Sequence, residues 1–456
     1  MRAGLVPSND EIFGIIEEIV AQGIRRPAYP ADLWVEQYCL QRFEKLGFQN
    51  VHAEPVDALL WELRSCSLLA WRADAGVASA IDIPCFPIPH SASTSGLEGR
   101  LALFDAESPE RAKGNFALRH YILGRLPYDN LLEVETWRYD PEGTLKGYAQ
   151  VIPFAPEKQE PMKAVIDAGA AAFVGVLTDY PGDVYEYYVP YHGVVQPIPG
   201  VWISGSSGTR LSEMMAFGPV NLRLSVDSEI RKAVTHNVMG ELPGAGDEFL
   251  IIGSHHDAPW ASAVEDTSGV GLVLAQAEYW SRVSKEERPH NMLFLMNAGH
   301  MVGSVGNDAF RAAHQAEFAR TVLEVHLEHA AMEYVDNGGK LKATGLPEPR
   351  WWFTSRIPQL QTAVQEAIEA EGLTRSLILP PTFIGDSPPT DGGRFHLEGV
   401  PIMSLLAAPF YLFDTQDTLD KIDREHLAPI TRAAIRIIES TRGQTAQSMR
   451  AAMQAD

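Results

Sequence analysis

The chain has 456 residues, 45% of them apolar and 21% charged, with a net charge of −22. That size suits two soluble globular domains with ample buried core. The acidic balance argues against a nucleic-acid partner, because phosphate backbones need clustered Lys and Arg.

The first residues carry acidic groups and lack a basic start followed by an apolar stretch, unlike a secretory leader. No run reaches the roughly 20 apolar residues of a membrane span. Cys39, Cys66 and Cys85 are scattered, without a CxxC pair, as expected of free thiols in a reducing compartment. The expectation is a cytoplasmic protein that does not engage a membrane.

Residues 8–23 predict a helix, with Ser8 and Glu11 in capping-box spacing and Ile12, Ile15, Ile16, Ile19 and Val20 at helical period. A second helix spans 30–46 and stops at Gly47. Strand-like, turn-rich sequence continues to about residue 110. From about 91 to 232 short strands, Pro and Gly dominate. There, 160–177 reads as a helix running into a buried strand, 197–204 as a strand, and the following segments as a helix and another strand. This stretch reads as a β-rich module inserted into a domain built from 1–90 and 233–456.

From 236 onward strands and helices alternate. Strands are expected at 248–254, 291–297, 321–327 and 401–407, and helices at 268–284, 304–319, 357–371 and 425–443. Unbroken apolar strands between helices indicate a mostly parallel sheet covered on both faces. Ligands bind such sheets at the carboxyl ends of the strands, so polar residues there are the first candidates for chemistry.

Three successive strands end in such residues. The first ends in His255-His256-Asp257. Alternation puts His255 and Asp257 on one face, where Asp257 can accept the second ring N–H and fix the tautomer of a metal-binding His255. Asp266 follows, just before a helix, where it is equally a helix cap. The next strand leads into His300-Met301, and the third into Glu328-His329. Convergence of His255, Asp266, His300 and Glu328 would suit zinc, manganese or iron(II). There is no HExxH, no phosphate loop and no nucleophile elbow; His326-Leu327-Glu328-His329 is one residue short of an inverted HxxEH.

The run IIGSHHDAPWASAVEDTSGVGLVLAQAEYW resembles the metal-binding core of the co-catalytic zinc aminopeptidases of clan MH, relatives of glutamate carboxypeptidase, the transferrin receptor and glutaminyl cyclase. Their pattern of strand, H-x-D, short loop and D-x-x-G opening a helix is met by His255, Asp257, Asp266 and Gly269. THNVMGELPG, GIRRPAYPADLWVEQYCLQRFEKLGFQNV, FIGDSPPTDGGRFHLEGVPIMSL and DTQDTLDKID resemble other parts of that family. Residues 160–225 resemble a protease-associated domain. The resemblance implies a mostly parallel mixed sheet sandwiched by helices, with that domain as the insert.

It also implies site roles. The family binds two metals through a His, a bridging Asp, a Glu, a second acid and a final His, with a further Glu as general base. His255 takes the place of the first His, Asp266 of the bridging Asp and Glu328 of the second acid. His300-Met301 replaces the Glu-Glu pair, and Asp414 replaces the final His. A thioether is a poor ligand for a hard divalent ion, so one metal is expected, zinc first and manganese or iron next, with Asp414 and Met301 at a weakened second position or touching substrate. His300 would be the general base. Tyr188, Tyr191 and His192, in the aromatic run VYEYYVPYHG, would cap the substrate. The expected activity is hydrolysis of an amide or related C–N bond in a peptide or small acylated molecule, in a chain that can pair with a second copy. A non-catalytic scaffold, or a lyase or isomerase on the same fold, is the alternative.

Overall fold

The computed structural model describes residues 1–153 and 160–453; residues 154–159 of the 91–232 stretch therefore lie outside the described residues. The fold is mixed α/β, with one large sheet between helices. At its centre Asn291–Asn297, Phe249–His255, Thr321–Leu327 and Ile402–Ala407 lie side by side, all parallel. These strands are almost wholly buried, which is why they read as continuous apolar runs rather than alternating ones.

Arg350–Thr354 joins antiparallel beside Ile402–Ala407, and Ser376–Leu379 lies beyond it. On the other flank Val220–Leu242 pairs antiparallel with Asn291–Asn297. It also pairs with the 24-residue strand Gln49–Arg72 for most of its length. Through Val220–Leu242 the sheet continues into Thr94–Leu103, Phe116–Ile122, Ala172–Thr178 and Gly200–Ser204. One short piece of the 91–232 stretch, Trp137–Tyr139, instead adds an edge strand beside Ser376–Leu379.

Helices cover the sheet. Asn9–Val20 starts with the expected capping box, Ser8 Oγ accepting from Glu11 N, and buries Ile12, Ile15, Ile16 and Ile19. Each such isoleucine contributes about 1.5–3 kcal/mol of transfer free energy. Gly269–Ser281 is buried on nearly every side. It must start with glycine, since a Cβ at Gly269 would lie 2.4 Å from the Leu327 carbonyl oxygen. The helix expected over 304–319 is two helices, Val305–Ala313 and Gln315–Arg320. They break at His314, whose ring stacks on Phe310 and whose Nε2 meets Glu54 across the fold.

Candidate metal centre

The four parallel strands deliver their carboxyl ends to one edge of the sheet. His255 closes the first. Its Nδ1 faces the Asp257 carbonyl at 3.0 Å, so that nitrogen carries a proton and Nε2 is the atom turned to the cluster. Nε2 points at Glu265 Oε1, 3.3 Å away. His329, just past the third strand, is built the same way. Its Nδ1 donates to the Ala407 carbonyl at 2.7 Å, and its Nε2 lies 2.7 Å from Glu265 Oε2. One carboxylate thus stands between two imidazole Nε2 atoms. His255 Nε2, His329 Nε2 and Glu265 Oε1 are buried and have no hydrogen-bond partner.

His300 completes the group. Gly299 and Gly303, both left-handed with φ of 68° and 91°, bracket the turn that carries it. The Asp257 carboxylate accepts from His300 N at 3.0 Å and Met301 N at 2.7 Å, which fixes that turn. The His300 ring stacks on His255, centroids 4.1 Å apart, and its Nδ1 meets Asp391 Oδ1 at 2.8 Å. Ligand atoms of His255, Glu265 and His300 all lie within 4.8 Å of one another, as do those of His255, Asp266 and Glu328.

Behind this layer His326 sits between Glu324 and Glu328, each at 2.9 Å from a ring nitrogen. Asp417 accepts from Ala263 N, Val264 N and Glu265 N. Arg25 bonds the Ser262 and Glu265 carbonyls and the Thr267 hydroxyl. The loop that carries Glu265 is therefore held from both sides.

The electrostatics follow from crowding. Asp257, Glu265, Asp266, Glu324, Glu328, Asp391 and Asp417 are all buried. Against these seven carboxyl groups stand Arg25 and four imidazoles, so acids outnumber the groups that can carry positive charge. Burial would lower the His255 pKa, but the Glu265 carboxylate facing Nε2 and the Asp266 and Asp257 charges outweigh it and push it well up. Burial works the other way on Glu265, yet His329 and His255 hold its carboxyl well below the usual range. Burial pushes Asp266 up to about 7. A buried, acid-rich set of imidazole and carboxylate groups with unpartnered donor atoms fits a divalent cation.

The structure also places the other residues expected at the site. Asp266 does not turn both oxygens to the cluster: one accepts from the Ser254 hydroxyl, the other from Gly269 N at 3.2 Å and His329 N at 3.3 Å. These are capping contacts, made while Asp266 stays in the group with His255 and Glu328, and Glu265 stands between the imidazoles. The His255 ring N–H goes to the Asp257 carbonyl, because the Asp257 carboxylate is occupied by the His300 turn. Asp414 is folded onto its own turn, accepting from Gln416 N at 2.6 Å, and stands in none of the ligand groups. The Met301 side chain belongs to the main apolar core. Glu328 faces His326 and Asp391 N.

Of the aromatic loop, Tyr191 reaches the site, stacked on His300 at 5.6 Å and on Phe413 at 5.0 Å. Tyr188 is buried under Arg26 and Trp61. His192 lines a separate cavity of about 330 Å³ with Leu59 and Val302. Glu265, His329, Asp391, Asp417 and Arg25 went unassigned from sequence. Glu265 and His329 had a signal, each standing next to a residue that was chosen.

A helix-covered mixed sheet with a buried histidine–carboxylate cluster at the carboxyl ends of its parallel strands defines the aminopeptidase-like α/β class. Residues 237–438 match the model of Peptidase family M28. A peptidase M28 precursor from Shewanella amazonensis SB2B is similar over 94% of this chain and 92% of its own, at 18% identity and a TM-score of 0.71. A zinc aminopeptidase from Bacillus subtilis is similar over 94% and 95%, at 16% identity and a TM-score of 0.64. An aminopeptidase from Aneurinibacillus sp. strain AM-1 is similar over 96% and 94%, at 16% and 0.63. No curated protein matches the sequence. The solved structures establish the fold, and the match to Peptidase family M28 spans under half of the chain. No helix among the described residues is long and apolar enough to cross a membrane.

Proposed function

We propose that this chain hydrolyses amide bonds of peptides with one divalent metal, zinc, held by His255, Glu265 and His329. The observation that carries the reading is the trio of buried, unpartnered donor atoms, His255 Nε2, Glu265 Oε1 and His329 Nε2, among buried acids. When bound, such an ion polarises the scissile carbonyl and lowers the pKa of water.

The chain's own residues do the rest. The Asp257 and Ala407 carbonyls fix the tautomers of His255 and His329, so that Nε2 of each is the donor. Asp391 holds His300 through Nδ1, leaving the other ring nitrogen to take a proton from the attacking water and return it to the leaving amine. The Asp257 carboxylate is a positioning group for His300. Tyr191 walls the site beside His300 and limits access of water.

Metal analysis of the purified protein, with assay of leucine p-nitroanilide before and after dialysis against a chelator, tests the reading. Expected are close to one equivalent of metal, loss of turnover on chelation and recovery with zinc. Protein free of metal whose activity and stability ignore chelator and zinc would sink it. A second test concerns His300 alone. His300→Ala should keep the metal and lose about 10²–10⁴-fold in turnover; full turnover would remove it from the mechanism.

A further inference from the structure

A cavity of about 450 Å³ opens beside the metal centre, lined in part by Tyr148, Tyr180, Tyr334, Glu348 and Phe410. It shares no residue with the histidine–carboxylate cluster. The two are neighbours through backbone: His329 donates to the Ala407 carbonyl, and Gln150, which also holds Glu348, donates to that of Ala408.

Charge is out of balance at the inner end of this cavity. Glu333 and Glu348 are both buried there with Arg375 beside them, and the buried Lys421 holds its ammonium 4.2 Å from the centre of the Tyr334 ring. Arg375 is committed to Glu333, Nη2 to Oε1 at 3.0 Å, and its guanidinium lies over the Tyr148 ring at 4.9 Å. Glu348 has only a neutral partner: Oε1 accepts from Gln150 Nε2 at 2.5 Å. Oε2 has no hydrogen bond among the described residues, in a side chain 4% exposed that lines the cavity. Asp179 and Asp336 add negative charge at the walls, against Arg125. Aromatic walls around a carboxylate that lacks a cation are the chemistry that recognises an ammonium group.

We propose that this cavity binds an organic cation, a protonated primary amine on an apolar or aromatic body, with the Glu348 carboxylate as its counter-ion. Without that ligand Glu348 has reason to keep a proton. Burial, and then the Glu333 charge, push its carboxyl up to about 8, against the smaller opposing pull of Arg375 and Gln150. Amine binding then releases that proton to the buffer. Below a pKa near 8 the affinity should rise about tenfold per pH unit, since only the ionised carboxylate binds.

The proposal stands whether or not the metal centre hydrolyses peptides, and its test reads binding alone. Full-length protein is titrated calorimetrically with phenethylamine and, separately, with phenethyl alcohol, in buffers of different ionisation enthalpy. Expected are amine binding with proton release, tightening from about pH 6 to about pH 7.5 at the slope above, and at least about tenfold weaker binding of the alcohol. Glu348→Gln, which copies the protonated form in shape and charge, should fold, keep its metal content and bind the amine at least about tenfold more weakly. Alcohol bound as well as amine, no amine binding, a flat pH profile in the unmutated protein, or unchanged affinity in Glu348→Gln each overturns the proposal.

Discussion

Glu265→Gln is expected to lose the bound metal and with it amide hydrolysis. The carboxylate stands between His255 Nε2 and His329 Nε2 and is the acid both face. Outer partners of metal ligands already cost about 10–100-fold in affinity or activity when removed, so loss of a charged donor in the first layer should cost at least about 100-fold. Asp266→Asn should behave oppositely. Its carboxylate caps the following helix and holds Ser254 and His329 N. The asparagine would keep metal stoichiometry and lose stability, about 1–3 kcal/mol for a buried partner left unpaired. Metal content and urea unfolding of the two variants separate the roles. Metal lost in Asp266→Asn and retained in Glu265→Gln would reverse the assignment and restore Asp266 as the ligand.

The difficulty of choosing between these neighbours from sequence is physical. Glu265 and Asp266 are consecutive acids in one loop, and their directions are set by dihedrals that no periodicity encodes: φ −89°, ψ 105° and φ −112°, ψ 38°. Those values are imposed from outside by Asp417, more than 150 positions along the chain, and by Arg25 near its start. The same holds in the segment DTQDT. Asp414 and Asp417 are equivalent in type, and only the packed fold shows that Asp417 grips the Glu265 loop. His255 was legible because it ends an apolar strand, where local pattern and site position coincide. The central strands were legible for the same reason: both faces are buried, so the pattern is unbroken. The strand Gln49–Arg72 was not. Its burial is irregular along its length, and its partner strand lies about 170 residues away, at a register such as Leu60 with Arg231. The break at His314 is likewise a tertiary effect, since Phe310 and Glu54 hold that side chain.

Asp32→Ala should give the largest loss of stability. Asp32 lies in the helix Pro30–Lys45 and is fully buried. Its carboxylate accepts from His256 Nδ1 at 2.7 Å, Thr235 Oγ1 at 3.0 Å and Ala28 N at 2.8 Å. The other nitrogen of His256 faces the His236 carbonyl at 3.0 Å. Both ring nitrogens thus meet acceptors, so His256 is an imidazolium and the pair is a buried ion pair. This arrangement also explains why Asp32, Glu36 and His256, though close enough to hold a metal, are read as structural: each His256 nitrogen is already taken. Removing the carboxylate strands a buried positive charge, at a cost of about 3–5 kcal/mol. The strand end beside it carries His255 and Asp257, so the metal centre should loosen as the fold weakens. A double variant, Asp32→Ala with His256→Leu, removes both charges and should recover much of that loss, because an apolar replacement of a whole buried pair is often neutral or better. Urea unfolding of the two single variants and the double supplies the cycle. Losses that simply add would mean that Asp32 acts through Thr235 and Ala28, and that the ion pair is not what holds the helix to the sheet.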